Sequence, residues 1–150
     1  ISENMNAQEL SENLAVLASQ KIIDDLDSIF EGNIEFANQD NSKATYAKKI
    51  DKSEGKINWN ENAEKIMGKI NGLYPFPGAW FSFNGERYKI LKAEISDVKG
   101  EKGMILSDNF EIGCNNKSIK IVSIQREGKK VQNIKEFVLG TKIKKGTYII

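Results

Sequence analysis

The residues whose type and spacing could do chemistry in this chain are cations. Four lysines fall close together beside Tyr46: Lys48, Lys49, Lys52 and Lys56. Lysine ammonium groups neutralise phosphates and release the counterions condensed on them, so a basic segment next to an aromatic can grip a nucleic-acid backbone. A solvated lysine face gives the same pattern, and the cluster alone leaves both interpretations open.

The usual catalytic residues are absent or isolated. The sequence contains no histidine and one cysteine, Cys114. Without histidine there is no usual general base, zinc ligand or Ser-His couple, and one cysteine forms neither an internal disulfide nor a cysteine-rich metal site. No glycine-rich loop matches a nucleotide-binding fingerprint. These residues predict a binding or scaffolding domain with no catalytic residue and no metal site, in a reducing cytoplasm.

The charge is divided unevenly along the 150 residues, although the net charge is only +1. Nine acidic and two basic residues give −7 from Ile1 to Lys43, and 12 acidic and 20 basic residues give +8 from Ala44 to Ile150. The basic part is therefore a candidate surface for a polyanion. No apolar run reaches the roughly 18 to 20 residues of a spanning helix, so no membrane role is expected.

An amphipathic helix of about 25 residues is predicted at the start of the chain. Asn6 and Glu9 form a capping-box pattern, apolar residues recur at helical spacing from Leu10 to Ile29, and Gly32 suits the end. The apolar stripe needs a cover, either the surface of this chain or a domain that precedes it. We favour the second, because a chain that begins on Ile1 indicates a start inside a longer protein.

A second helix and a proline segment are predicted next. Asn60 is the expected cap, with Glu61 in the first turn and Gly72 at the end. Its expected buried face comprises Ala63, Ile66, Met67 and Ile70. Tyr74 to Pro77 alternates aromatic residues with proline, which predicts a short extended rod that is not an interior strand.

Short strands dominate the rest of the chain. The hairpin turn Asn84-Gly85 and later turn signals separate runs rich in β-branched and aromatic residues. The predicted strands are Ala79–Phe83, Arg87–Ile95, Gly103–Ser107, Phe110–Cys114, Ser118–Arg126 and a last β segment, Gly146–Ile150. A capping box at Asn133 opens a short helix that Gly140 ends. The predicted class is mainly β with helices (α+β): an N-terminal helix and linker, then a Greek-key barrel resembling the oligonucleotide-binding (OB) fold, with a short C-terminal helix.

Three ordered motifs resemble the methionyl-tRNA formyltransferase family. Tyr46 to Trp59 is similar to its linker pattern Tyr-Ala-x-Lys-Ile/Leu, Lys-x-Glu, Ile-Asp-Trp. Tyr74 to Trp80 is similar to its Pro-Trp-Pro-Gly-Ala-Trp segment, and Gln125 to Lys130 to its Gln-x-x-Gly-Lys-Lys. Asn58 stands where the family has aspartate, and Phe76 where it has tryptophan.

The resemblance implies a domain division and a function. Residues 1–43 would be the last helix of a formyltransferase catalytic domain plus linker, and residues 44–150 a C-terminal OB-like domain that binds tRNA. The parent enzyme would transfer a formyl group from 10-formyltetrahydrofolate to the amino group of methionine on initiator tRNA. The family's catalytic residues and folate-binding loop lie upstream, so this chain is expected to bind no cofactor and to be inactive alone.

The expected partners are initiator methionyl-tRNA and the chain's own upstream catalytic domain, with a monomer as the expected state. Phosphate contacts would position the tRNA without reading its sequence. The expected contacts are Lys48, Lys49, Lys52, Lys56, Arg87, Lys89, Lys92, Lys129 and Lys130. Arg87 and Lys89 should share one strand face, with Lys92 opposite unless a bulge intervenes. The alternative is a purely structural barrel, as in related formyltransferases of nucleotide sugars or formyltetrahydrofolate dehydrogenases.

Overall fold

The chain folds into three α-helices and five strands in the residues that the computed structural model describes, 1–2 and 4–149. The helices are α1 (Ala7–Phe30), α2 (Ala63–Gly72) and α3 (Ile134–Gly140). The strands are β1 (Ala79–Phe83), β2 (Glu86–Ser96), β3 (Glu111–Gly113), β4 (Ser118–Arg126) and β5 (Val131–Asn133). The predicted α+β class is confirmed.

Strand β4 is the centre of the antiparallel sheet. One edge of β4 pairs with β2, while the other pairs with β3 near its start and with β5 near its end. Strand β1 forms a hairpin with β2 around Asn84-Gly85, whose residues have φ angles of 50° and 78°. Positive φ at both central positions is the geometry that an Asn-Gly turn provides.

The core is built on the inward residues of β2 and β4 and the buried face of α2. Tyr88, Ile90 and Ala93 are buried on β2, so the inward positions change from even to odd numbers. The change occurs at a β-bulge around Lys92, as the register with β4 shows. The spacing on the strand predicts that Lys92 shares the outward face of Arg87 and Lys89 only if a bulge intervenes. The bulge is present, and Lys92 is exposed.

Helix α1 begins as predicted and has no buried residue. Asn6 Oδ1 accepts a hydrogen bond from Glu9 N at 2.9 Å, and Glu9 Oε2 accepts one from Asn6 N at 3.0 Å. Its apolar side chains are nevertheless open to solvent. The described part of this chain therefore does not cover the stripe. Among the described residues, no helix is both long and apolar enough to cross a bilayer.

The predicted start of α2 is wrong by two residues, although its buried face is the predicted one. The N-cap is Asn62, because Asn60 instead lies in a turn where its side chain hydrogen-bonds Asn58 Oδ1 at 3.1 Å. The first helical N–H, that of Ala63, is capped from a distant loop by Asn116 Oδ1 at 2.9 Å. A cap from 53 residues away leaves no local sequence signal.

The predicted extended rod at Tyr74–Pro77 is a series of turns. Both the Tyr74–Pro75 and the Phe76–Pro77 peptide bonds are cis, and the N–H of Gly78 donates to the carbonyl of Leu73 at 2.9 Å. The segment reverses the chain between α2 and β1. The expectation that it is not an interior strand holds.

Two predicted strands do not form as ladders, and one strand was missed. Gly103–Ser107 and the described part of Gly146–Ile150 make only isolated bridges, Met104 to Tyr148 and Ile105 to Ile112, because a turn and Gly103 at φ 74° interrupt the pairing. Ile150 lies outside the described residues. The missed strand, β5, has three residues and borders a turn, so it carries too little periodicity to detect.

The carboxylate of Glu111 on β3 ties the end of β2 and the loop at Ser107 together, and its loss should be visible in acid. Glu111 accepts hydrogen bonds from Ser107 Oγ at 2.6 Å and Ser96 Oγ at 2.7 Å, which lower the pKa of the carboxyl below its usual range. A carboxyl with a lowered folded-state pKa stabilises the fold above its unfolded pKa, about 4.3, and this stability is lost as pH falls through the folded value.

We therefore expect Glu111→Gln to cost about 1 to 3 kcal/mol of unfolding free energy at pH 7 and to flatten the fall of stability below about pH 4.5. Urea unfolding between pH 3 and 7 measures both effects. The control is Glu35→Gln, in an exposed residue of the linker, which should leave the curve unchanged. Parallel curves for the wild type and Glu111→Gln would contradict this role of the carboxylate.

Candidate nucleic-acid interface

Trp80 on β1 attaches the linker to the sheet. Its indole Nε1 donates to the carbonyl of Lys52 at 3.1 Å, and its backbone carbonyl accepts from the N–H of Ile57 at 2.8 Å. Between these two contacts lies a 3-10 turn, Lys52–Gly55, capped by the Asp51 side chain. We call this segment the linker turn. It holds Lys52 beside the outer face of the β1–β2 hairpin.

Gly55 permits the close approach of the linker turn to β1. Gly55 is buried, and a Cβ atom at this position would overlap the carbonyl oxygen of Gly78 and lie 2.9 Å from Trp80 Cδ1. The neighbouring atoms are the backbone of Gly78 and the ring of Trp80, a residue held by one hydrogen bond at its indole and one at its backbone carbonyl. They have little freedom to move aside.

Two cations on β2 contact aromatic rings across this surface. The guanidinium carbon of Arg87 lies 4.2 Å from the centroid of the Trp80 ring, and Lys89 Nζ lies 6.0 Å from that of Phe76. Arg87 and Lys89 are both outward-facing, as their spacing on the strand predicts. Cation–π contacts of this kind orient a charge without neutralising it.

These side chains line a pocket of about 230 Å³, which we call the Trp80 pocket. Its cations are Lys52, Arg87 and Lys89, and its aromatic residues are Phe76 and Trp80. The lining is completed by Pro77, Gln125, Glu127 and Gly128. The structure thus brings three of the predicted site residues together around two rings.

A second pocket lies on the other side of the β4–β5 turn. Lys129 and Lys130 line it together with Arg126 and Lys142. Gln125 Nε2 donates to the carbonyl of Lys129 at 2.9 Å, which links this turn to the wall of the Trp80 pocket. Five of the nine predicted cations therefore flank one turn.

The other four predicted cations are not part of either pocket. Lys48 and Lys49 are exposed on the irregular linker before the linker turn. Lys56 lines a separate pocket with Lys102, and Lys92 lines one that also contains Glu9 and Glu12 at the start of α1. The acidic neighbours make Lys92 the least suited of the set to hold a phosphate.

Ion pairing separates the cations of the Trp80 pocket from Arg126 of the second pocket. Lys52, Arg87 and Lys89 form no ion pair with any carboxylate among residues 1–2 and 4–149. By contrast, Arg126 pairs with Glu86, which also accepts a hydrogen bond from Tyr88 Oη at 2.7 Å. That bond and the arginine hold the pKa of Glu86 below its usual range, and burial raises the pKa of Tyr88 to about 12. Arg126 is therefore largely occupied within the fold.

Sequence reasoning missed most of the other residues that line these two pockets, among them Phe76, Trp80, Gln125, Arg126, Glu127 and Lys142. Trp80 was recognised only as part of a motif. The contact of Trp80 with Arg87 carries a signal that could have been used, since the two strands of a two-residue hairpin have a fixed register. In the structure Trp80 pairs with Lys89, and Arg87 lies on the same face two register positions away, opposite Ser82.

The fold and this surface define a class of protein. A family model described as "Formyl transferase, C-terminal domain" matches residues 49–142, which covers the linker turn, the sheet and α3. The chain therefore belongs to the formyl transferase C-terminal domain family.

Curated relatives specify the resemblance further. Methionyl-tRNA formyltransferase of Pelagibacter ubique is 58% identical over 150 residues, covering 99% of this chain and 48% of that protein. The enzyme of the same name from Rickettsia conorii is 40% identical, covering 99% and 49% respectively. The predicted resemblance to this family is confirmed, and the chain spans about half the length of these relatives.

Solved structures show the same fold at low identity. A variant of HypX from Aquifex aeolicus superposes with a TM-score of 0.73 at 17% identity, covering 97% of this chain and 28% of that protein. HypX in complex with tetrahydrofolic acid gives a TM-score of 0.64 at 17% identity, covering 83% and 23%. The likeness extends over nearly the whole chain.

The fit at Gly55 can be tested with a pair of glycine substitutions. Gly55→Ala should lower the free energy of unfolding by about 1 to 3 kcal/mol, because the new methyl group overlaps fixed backbone. The matched control is Gly68→Ala on the exposed side of α2, where a Cβ meets nothing within 4 Å. That change should stabilise by about 1 kcal/mol through helix propensity.

Urea unfolding followed by tryptophan fluorescence measures both variants. Equal stability changes at the two glycines would show that the linker turn is not held closely against β1.

Proposed function

We propose that this chain is the C-terminal tRNA-binding part of a methionyl-tRNA formyltransferase. The parent enzyme transfers a formyl group from 10-formyltetrahydrofolate to methionine on initiator tRNA in translation initiation, a cytoplasmic process. The observation that carries the proposal is the convergence of three unpaired cations from the linker and β2 on one aromatic pocket. Phosphates of an RNA backbone are suitable ligands for such a surface.

The proposal divides the predicted cations by position. Lys52, Arg87 and Lys89 form the centre of the contact, and Lys129 and Lys130 extend it across the β4–β5 turn. Lys48, Lys49 and Lys56 add linker contacts at its margin, and Lys92 contributes least. In this proposal the sheet serves as an OB-type barrel, with residues 44–150 as the RNA-binding domain.

Residues 1–43 have a different place in the proposal. We infer that α1 is the last helix of the upstream catalytic domain, which covers its apolar stripe. Leu14, Leu17 and Ile22 of this stripe are 55–65% exposed. Burying an aliphatic side chain of this size contributes about 1.5 to 3 kcal/mol, so this stripe supports a substantial contact. The net charge of −7 on this segment would repel the phosphates of RNA, which also favours a protein surface as its neighbour.

The alternative is a structural barrel in a formyltransferase of nucleotide sugars or in a formyltetrahydrofolate dehydrogenase. The names and the identity of the relatives favour the tRNA enzyme. A nucleotide sugar carries two phosphates, whereas five of the predicted cations here line two separate pockets. Filter binding with initiator tRNA in competition with a nucleotide sugar separates the two functions: displacement of the tRNA by the sugar would favour the alternative.

Removing the central cations should reduce the salt dependence of tRNA binding. Each lost phosphate contact changes the slope of log K against log salt by about 0.7 to 0.9, so the triple variant Lys52→Ala, Arg87→Ala, Lys89→Ala should change it by about 2 to 3. Filter binding of initiator tRNA between 50 and 200 mM salt measures the slope.

The control removes three charges that carboxylates already hold. Lys65, Lys117 and Lys120 pair with Glu61, Asp97 and Glu94 at 2.7, 3.0 and 3.7 Å. The triple alanine variant of these lysines has the same net charge as the pocket variant and should keep most of the wild-type slope. Equal loss in both variants would indicate a general charge effect and reject the assigned site.

The chain alone should transfer no formyl group. The proposal assigns catalysis to the upstream domain, so incubation with 10-formyltetrahydrofolate and methionyl-tRNA should yield no formylated product above background. Turnover by this polypeptide would contradict the division of labour.

A further inference from the structure

The Trp80 pocket has features that phosphate binding does not require. Phe76 projects into solvent with 72% of its surface exposed, between two prolines that hold its backbone in a turn. Exposing a phenylalanine ring at a charged surface has a free-energy cost in water. A ligand with a flat apolar face would remove that cost.

Arg87 presents a second flat surface. Its guanidinium carbon lies over the Trp80 ring, 4.2 Å from the centroid, and the indole is itself fixed by the hydrogen bond to Lys52. A guanidinium is planar, and nucleobases stack on arginine as well as on aromatic rings. The pocket therefore has two stacking surfaces and two lysines.

The size and the remaining lining suggest a single nucleotide. About 230 Å³ is smaller than the roughly 300 to 1,000 Å³ of pockets for drug-sized molecules. Glu127 on the rim is unfavourable for a bare phosphate but accepts hydrogen bonds from the amino group of a base. Lys52 and Lys89 are left to hold the phosphate of the same nucleotide.

We propose that the Trp80 pocket binds one unpaired nucleotide of the RNA, with its base stacked on Phe76 and Arg87 and its phosphate on Lys52 and Lys89. This inference rests on the proposed RNA-binding function and adds a preference to it. Bases inside a duplex are stacked on one another and cannot reach an aromatic side chain, so the pocket selects single-stranded or looped segments.

The test compares two RNAs of the same sequence and length. A labelled 12-nucleotide single strand and the corresponding blunt 12-base-pair duplex are titrated by fluorescence anisotropy against the wild type, Phe76→Ala and Phe76→Tyr. Phe76→Ala should weaken binding of the single strand about 5- to 150-fold, the effect of losing one stacked base, and should leave the duplex within about twofold. Phe76→Tyr keeps the ring and should keep the affinity.

The matched control is Phe36→Ala, which removes another exposed ring, 87% exposed, from the linker before the pocket residues. It should change the affinity for neither RNA.

A second measurement does not depend on the Phe76 variants. Trp59→Phe leaves Trp80 as the only tryptophan of the sequence, and the fluorescence of Trp80 should change more when the single strand binds than when the duplex binds.

The outcomes separate this inference from the proposed function. If the wild type binds tRNA but Phe76→Ala weakens both RNAs equally, or neither, the nucleotide pocket is wrong and the phosphate interface stands. A wild type that binds no RNA at low salt overturns the interface and the pocket together.

Discussion

The attachment of the linker turn to Trp80 is the contact on which the candidate site depends. One side chain on β1 holds the linker through its indole N–H, and its ring supports the guanidinium of Arg87 on β2. The hydrogen bonds to Lys52 and from Ile57 would be worth about 1 kcal/mol each if removed singly. Their importance is geometric, because they bring a lysine from the linker and two cations from a strand to one place. A flexible linker would instead spread its charge over many positions, and fixing the linker when RNA binds would then have an entropic cost.

The distribution of partners among the charged groups then determines which cations are available. Ion pairs within the fold, such as Arg126 with Glu86 and Lys117 with Asp97, consume positive charge close to the sheet. Arg87 and Lys89 of the Trp80 pocket are instead placed beside aromatic rings, which orient them but leave their charge intact. The acidic N-terminal segment lies on a helix with its own apolar stripe. Net charge near zero thus hides two regions suited to different surroundings.

How far the sequence predicted this structure depended on the range of the interactions. The capping box of α1, strands β1 and β4 and the buried face of α2 follow from patterns within a few residues, and these predictions were confirmed. The cap of α2 by Asn116 and the irregular segment after Gly103 depend on distant contacts. Within the candidate site, the sequence marked the cations one by one as predictions, but their grouping required the register of the hairpin and the position of Gly55.

The same geometry bears on why a stacking pocket and a phosphate surface should occur together. The affinity that phosphate contacts provide falls steeply as the salt concentration rises, and such contacts hold nucleic acids of any sequence. They therefore give attraction without a fixed register. A base inserted between Phe76 and Arg87 is a short-range contact that salt screens little, and it fixes one nucleotide relative to β2. Because Trp80 joins this pocket to the linker turn, fixing that nucleotide also fixes the RNA relative to the linker. In an enzyme whose catalytic domain lies upstream of that linker, such a contact would set the direction in which the rest of the RNA extends.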